Sequence, residues 1–228
     1  MEILGIEKVS FVDYENKICA TVFTGGCNFC CPFCHNGGLV KRTHKKIEES
    51  EILNYLKERK SLLDAVTISG GEPTLQRDLK EFVKKVKEMC YLVKLDTNGT
   101  NPQVVRELLD EKLIDYVAMD IKNNFDNYCG ITGVSKNFSD KVEETLQILK
   151  DSKVEFELRT TLVKEFHSRE NIEKIASELA GQNKLVLQKF VENENCLNFG
   201  LHEVEKKQAQ EFQEILSKSI KNVSLRGY

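Results

Sequence analysis

Apolar and polar positions along this chain fall into short runs of period two alternating with longer runs of helical period. Leu4–Ser10 and Ile18–Phe23 are brief β-type runs close enough to pair as a hairpin. Ile52, Leu53 and Leu56 share one face of a helix predicted over Glu48–Lys60, and Ala65–Ser69 is a strand ended by Gly70-Gly71. Leu75, Leu79, Phe82, Val83 and Val86 have helical spacing within Leu75–Met89, and Tyr91–Leu95 is the next strand. Pro102 suits the first turn of a helix that carries Val105, Leu108 and Leu109 inward. A strand over Asp115–Ile121 leads into an irregular stretch, Asn123–Phe138, then a helix from Ser139 to about Lys150 with Ser139 as its expected N-cap. Strands at Val154–Val163 and Lys184–Phe190 bracket a helix over Ser168–Leu179, closed by Gly181. A helix over Glu203–Lys218 and a tail strand at Val223–Arg226 complete the order.

Strand–helix alternation implies a parallel sheet with right-handed crossovers. Six units are too few for a closed eightfold barrel, so the expected class is α/β: a partial (β/α)6 barrel with a short N-terminal hairpin, its working face at the carboxyl ends of the strands. With 228 residues, three prolines and no Pro/Ser/Gly-rich linker, a single domain over 1–228 is expected, with a loop at 24–38 and a closing helix and strand at 203–228. The net charge of −3, with signs interspersed, gives no support for nucleic-acid binding, and no apolar run has membrane-spanning length. The opening Met1–Gly5 lacks a signal-peptide pattern, so a reducing, cytoplasmic setting is expected.

Chemistry concentrates in one loop. Four of the eight cysteines lie between Cys27 and Cys34, with Gly25-Gly26 before them and Gly37-Gly38 after. Cys27, Cys31 and Cys34, spaced Cys-x-x-x-Cys-x-x-Cys, suit three corners of a [4Fe–4S] cluster with one iron free. Counting Cys30 gives Cys-x-x-Cys-Cys-x-x-Cys, for which a four-thiolate zinc site competes; structural disulfides are a third reading. Further polar groups directly follow other strands: Gly70-Gly71-Glu72-Pro73, Asp96-Thr97-Asn98-Gly99 and Asp120-Ile121-Lys122. Each alone reads as turn chemistry or a solvated ion pair, yet all four loops would meet on one rim. Cys19, Cys90 and Cys196 read as buried apolar residues or surface thiols, and Cys129 as core filler near the rim. His44, His167 and His202, set among charges, are expected on the surface.

The cysteine pattern with Phe33 before its last member, followed by Gly70-Gly71-Glu72-Pro73, resembles the radical S-adenosylmethionine (SAM) superfamily. The strings CPFCHNG, SGGEPTLQ, LDTNGTNP and DYVAMDIK are similar to the activating enzymes of glycyl-radical enzymes, above all those serving anaerobic ribonucleoside-triphosphate reductase and pyruvate formate-lyase. The likeness runs from the start to about Phe190. It implies that a cluster on Cys27, Cys31 and Cys34 binds SAM through its free iron and, once reduced by flavodoxin or ferredoxin, cleaves it. The resulting 5′-deoxyadenosyl radical would remove a Cα hydrogen from a glycine of the partner. It also implies that Gly70, Gly71 and Glu72 receive the methionyl ammonium, that Asp120 and Lys122 attend the methionyl end, and that Phe33 and His35 flank the adenine. Asn98 and Phe190 would join the cofactor pocket. A monovalent cation at Asp96, Thr97 and Asp120 belongs to the same expectation. Arg159 alternates with Thr161 on one strand face and would either point into the barrel or lie on an ordinary polar sheet face.

After Phe190 only 38 residues remain, too few for a lid domain. A radical site must exclude water, so a protein loop entering from outside is the expected closure. A small-molecule radical enzyme on the same scaffold and a zinc-binding module stay open as alternatives.

Overall fold

A computed structural model describes all residues, 1–228. Eight strands form one open sheet in chain order: β1 (Ile3–Ser10), β2 (Cys19–Thr24), β3 (Ala65–Gly70), β4 (Leu92–Thr97), β5 (Tyr116–Asp120), β6 (Glu155–Leu162), β7 (Lys184–Lys189) and β8 (Asn222–Arg226). β1 runs antiparallel to β2, and every later pairing is parallel. The expected six-unit parallel core with its hairpin is present, and β8 adds a seventh parallel strand. With β1 and β8 unpaired on their outer edges, the barrel stays open along that seam.

Successive side chains on a strand point to opposite faces, and here the two faces differ in chemistry. Val66 and Ile68, Val93 and Leu95, Val117 and Met119, Leu158 and Leu162, and Leu185 and Leu187 are buried in the main apolar core. The packing partners are the helices α2 (Glu49–Glu58), α3 (Leu79–Glu88), α4 (Pro102–Asp110), α6 (Ser139–Asp151), α7 (Arg169–Glu178) and α8 (Lys206–Leu216). The alternate positions, among them Ser69, Asp96, Asp120, Arg159, Thr161 and Gln188, line a cavity at the carboxyl ends of the strands. At the amino ends, Tyr116 hydrogen-bonds Glu157 (3.4 Å) and Lys184 (3.4 Å), and Lys184 pairs with Glu157 and Glu15, plugging the bottom of the lumen.

Several sequence expectations need correction. The helix expected from Leu75 begins at Leu79; Pro73–Leu75 is a separate 3₁₀ turn, because Glu72 accepts the Thr74 N–H and fixes a tighter start, leaving Leu75 exposed. Ser139 is not an N-cap: the cap position is Phe138, and Asn137 Oδ1 takes the Ser139 N–H. The stretch expected to be irregular contains a 3₁₀ turn, Phe125–Asn127, and a short helix, α5 (Tyr128–Thr132), whose Tyr128 and Ile131 are buried. A second short helix, α1 (Gly37–Val40), follows the cysteine loop. Ser168 caps α7 as expected, through a reciprocal capping box with Asn171.

His167 is the clearest reversal. It is buried, not on the surface, and its ring bridges Val163 and the Lys122 carbonyl. A carbonyl only accepts, so Nε2 carries the proton and Nδ1 accepts the Val163 N–H. Burial holds its pKa below the usual value, keeping the ring neutral.

Candidate active site

The cysteine loop lies across the carboxyl ends of β2 and β3, held by backbone contacts a side chain would block. Glu72 donates its N–H to Gly26 O at 2.8 Å, and Gly71 donates to Thr24 O at 2.9 Å. A Cβ on Gly71 would fall 1.9 Å from Gly26 O, and Gly70 has φ +119°, next to the Thr24 backbone. Both glycines of this turn are therefore required by the cysteine loop they support.

Side chains complete the attachment. Asn98 Nδ2 donates to Asn28 Oδ1 (2.9 Å), and Asn28 Nδ2 donates to Thr100 Oγ1 (2.8 Å), tying the loop to the end of β4. The carboxylate of Glu72, 1% exposed, accepts from Thr74, from Thr97 Oγ1 (2.8 Å) and from the Asn98 N–H (2.7 Å). Burial raises the Glu72 pKa, against the opposing pull of these donors. Asn28 and Thr100 were not singled out from the sequence; their polar side chains beside a metal-type loop were the available signal.

Cys27, Cys31 and Cys34 all line the cavity, whereas Cys30 is exposed and turned outward, its N–H bonded to Thr132 O. Adjacent Cys30 and Cys31 thus diverge, which settles the count of inward thiols at three. Burial pushes Cys27 up to about 12 and Cys31 up to about 11, and raises Cys34 as well. Such thiols stay protonated until a metal displaces the proton. No three Cys, His, Asp or Glu side chains gather closely enough to share one metal ion. A tetrahedral zinc, with Zn–S bonds of about 2.3 Å, would need its sulfurs roughly 3.8 Å apart. Three thiols lining the cavity are also one short of the four thiolates of a structural zinc site, and suit a multi-iron cluster with one iron left free instead.

A second tier of polar groups faces the sulfurs. Asp120 pairs with Arg159 in the register of β5 and β6, and their side chains meet at 2.9 Å (Nε to Oδ1). Arg159 also reaches Asp96 Oδ2 on β4 (3.2 Å), passing Ala118, the small residue that pairs with Asp96 on the intervening strand. Lys122 Nζ holds the other Asp120 oxygen at 2.9 Å. Burial alone would raise Asp120, but the Arg159 and Lys122 charges outweigh it and hold the carboxyl at about 2. Asp96 is likewise lowered, burial being overcome by Arg159 and Lys94. Burial would lower Lys122, but the Asp120 carboxylate beside it outweighs burial and raises its pKa. Arg159 therefore points into the barrel, and Asp120 and Lys122 are a fixed network, not a solvated pair. Lys94, buried on β4 with its Nζ 3.1 Å from Asp96 Oδ1, was also missed. Its signal was the period-two partnership with Asp96.

Phe33 and His35 stand on the same wall. Phe190 does not line the cavity: it is fully buried behind them, its ring 5.4 Å from His35 in a stack and 6.5 Å from Phe33 edge-on. Its place at the last residue before the β7 loop puts it under the wall. The loop after β7 straps the cysteine loop from outside, through Leu197 N–H to Cys34 O (3.2 Å), Asn198 N–H to Pro32 O (2.9 Å) and Gly37 N–H to Asn195 O (3.0 Å). Cys196, in this strap, is buried; Cys19 is buried and Cys90 exposed.

The cavity measures about 410 Å³, within the range of small-ligand sites. One buried atom at this site, His35 Nε2, has no polar partner, while Asp96 Oδ1 has only the Lys94 ammonium, in an ion pair at 3.1 Å. Three inward thiols, a tier of paired charges beside them and the unmet His35 Nε2 fit an iron–sulfur cluster together with a polar, zwitterionic ligand.

Comparisons with known proteins agree with this chemistry. The family model described as "Radical SAM superfamily" matches residues 21–179. A protein of Methanocaldococcus jannaschii named "Putative glycyl-radical enzyme activating enzyme" is 38% identical over 192 residues, covering 82% of this chain and 78% of that one. The pyruvate formate-lyase-activating enzyme of Clostridium pasteurianum is 33% identical over 181 residues, 76% of this chain and 74% of its own. Among solved structures, Streptococcus suis SuiB bound to the precursor peptide SuiA superposes with a TM-score of 0.73 at 15% identity. That match covers 91% of this chain and 48% of SuiB, so the chain spans about half of that protein's length.

Proposed function

The chain belongs to the radical SAM superfamily, and from that premise we propose that it installs a glycyl radical on a partner enzyme, anaerobic ribonucleoside-triphosphate reductase being the preferred partner. It is an enzyme of radical SAM chemistry whose cofactors are a [4Fe–4S] cluster and SAM. Cys27, Cys31 and Cys34 would hold the cluster. Bound there and reduced, such a cluster would supply the electron for reductive cleavage of the sulfonium carbon–sulfur bond of SAM.

The chain's own residues bind, orient and exclude water. Lys122, fixed by Asp120, presents a half-buried cation beside the thiols, suited to a carboxylate. The Gly70-Gly71 turn, free of side chains, leaves backbone carbonyls accessible to an ammonium group; Gly70 O has only a long contact from Asn36 Nδ2 at 3.4 Å. His35 is held neutral by burial, helped by the Lys122 charge, so that Nε2 can exchange a hydrogen bond with a purine edge. Phe33, backed by Phe190, supplies an apolar face.

The observation that carries the activase reading is the relative at 38% identity over most of both chains. Pyruvate formate-lyase is the second candidate partner, favoured by the Clostridium relative. Reduced flavodoxin or ferredoxin would be the electron donor. A cytoplasmic setting belongs to the same proposal; no helix is long and apolar enough to cross a membrane. The test is to mix anaerobically reconstituted, reduced protein and SAM with each candidate partner and record electron paramagnetic resonance spectra. A glycyl doublet on the reductase supports the full reading, and a doublet on pyruvate formate-lyase alone moves the partner. Turnover of a small molecule with no partner signal refutes activation.

A further inference from the structure

We infer that this site works without a bound monovalent cation, because the Lys94 ammonium occupies the place such an ion would take. Lys94 is 4% exposed in the lumen, its Nζ lying 3.1 Å from Asp96 Oδ1 and hydrogen-bonded to the Asp13 carbonyl. The other Asp96 oxygen already takes the Ser69 hydroxyl at 3.0 Å and the Arg159 guanidinium at 3.2 Å. Both Asp120 oxygens are likewise claimed, Oδ1 by Arg159 and Oδ2 by Lys122. Along the lumen, two carboxylates therefore alternate with three fixed cations.

Hard cations require several oxygen ligands converging on one point. Thr97, the third expected ligand, is turned away: its hydroxyl donates to Glu72 Oε1 at 2.8 Å and accepts the Gly99 N–H at 3.1 Å. An added ion at Asp96 would meet an ammonium and a guanidinium within contact range of the same carboxylate, with no free oxygen cage to offset the repulsion. The expected cation and the residues present do not fit.

The thermal arm of the test stands apart from the proposed activity; the affinity arm rests on the cavity's assignment to SAM. Unfolding midpoints of the cluster-loaded protein, and SAM affinity, are measured in potassium, sodium and choline chloride at equal ionic strength. Wild-type protein should show the same midpoint and, within about twofold, the same SAM affinity in all three. The Lys94→Met variant vacates the position, and potassium or sodium should then raise its midpoint over choline by about 2–4 °C. Its SAM affinity should rise about fivefold or more, the lower end of ordinary coupling between two bound species. A saturable potassium or sodium effect on wild-type protein would overturn the inference, whether or not the variant folds. So would a folded Lys94→Met protein indifferent to all three salts. Failure of SAM to bind in any salt would count against the cofactor assignment and leave the thermal arm to decide.

Discussion

Replacing Gly71 with alanine tests the tie between the Gly70–Pro73 turn and the cysteine loop. The position does not have a left-handed φ, so space alone forbids a side chain: the new Cβ would sit 1.9 Å from Gly26 O and 2.6 Å from Gly26 C. Real Cβ contacts do not approach within 3.0 Å, so one backbone must give way by about 1 Å. That displacement breaks the Glu72 N–H to Gly26 O bond, worth about 1 kcal/mol, and adds an overpacking cost of about 1–3 kcal/mol. A loss of about 2–4 kcal/mol lowers the midpoint of a chain this size by about 5–15 °C. Gly130→Ala is the control, since nothing lies within 4 Å of its added Cβ and it sits inside helix α5, where alanine gains about 0.5–1 kcal/mol. The assay is circular-dichroism melting together with iron content after anaerobic reconstitution. Gly71→Ala should melt low and hold less iron, and Gly130→Ala should match or exceed wild type in both. A Gly71→Ala protein within about 2 °C of wild type and fully loaded with iron would refute the reasoning.

Asp120 governs the acid limb of stability. Its carboxyl is lowered from 3.8 to about 2 in the fold, so its contribution is fully present above about pH 4 and lost as the pH falls toward 2. The full amount is about 2 kcal/mol; urea unfolding at pH 7, 4 and 3 should show Asp120→Asn less stable at pH 7 and flatter in acid. An unchanged acid slope would contradict the pairing with Arg159 and Lys122. His167→Leu orphans the Val163 N–H and the Lys122 carbonyl and should cost about 2–4 kcal/mol. In wild-type protein, nitrogen NMR of this ring should report the neutral Nε2–H tautomer at pH 7 to 8; a protonated or Nδ1–H ring would show the bridge to be misread.

The fold was largely legible because each strand carries two messages at once. Val93 and Leu95 announce a core, while Lys94 and Asp96 between them announce a lumen, and only the parallel register shows that Arg159 meets both Asp96 and Asp120. Cys27, Cys31 and Cys34 were readable from spacing, but the outward turn of Cys30 depends on its backbone bond to Thr132, more than a hundred residues away. His167 looked like a surface residue among charges because its partners are backbone atoms, which leave no mark in the sequence. Phe190 was placed correctly at the end of its strand but one layer too far inward, since side-chain depth depends on Phe33 and His35 standing in front of it.

The central claim is that three inward thiolates, and not the fourth cysteine of the loop, hold a cluster that opens SAM. It is tested by reconstituting Cys30→Ala and Cys31→Ala side by side and measuring iron, sulfide and 5′-deoxyadenosine formed from SAM under reduction. The account predicts that Cys30→Ala keeps its iron and cleaves SAM as wild type does, whereas Cys31→Ala loses both. Equal iron and equal cleavage in the two variants, or their loss only when Cys30 is removed, would contradict it.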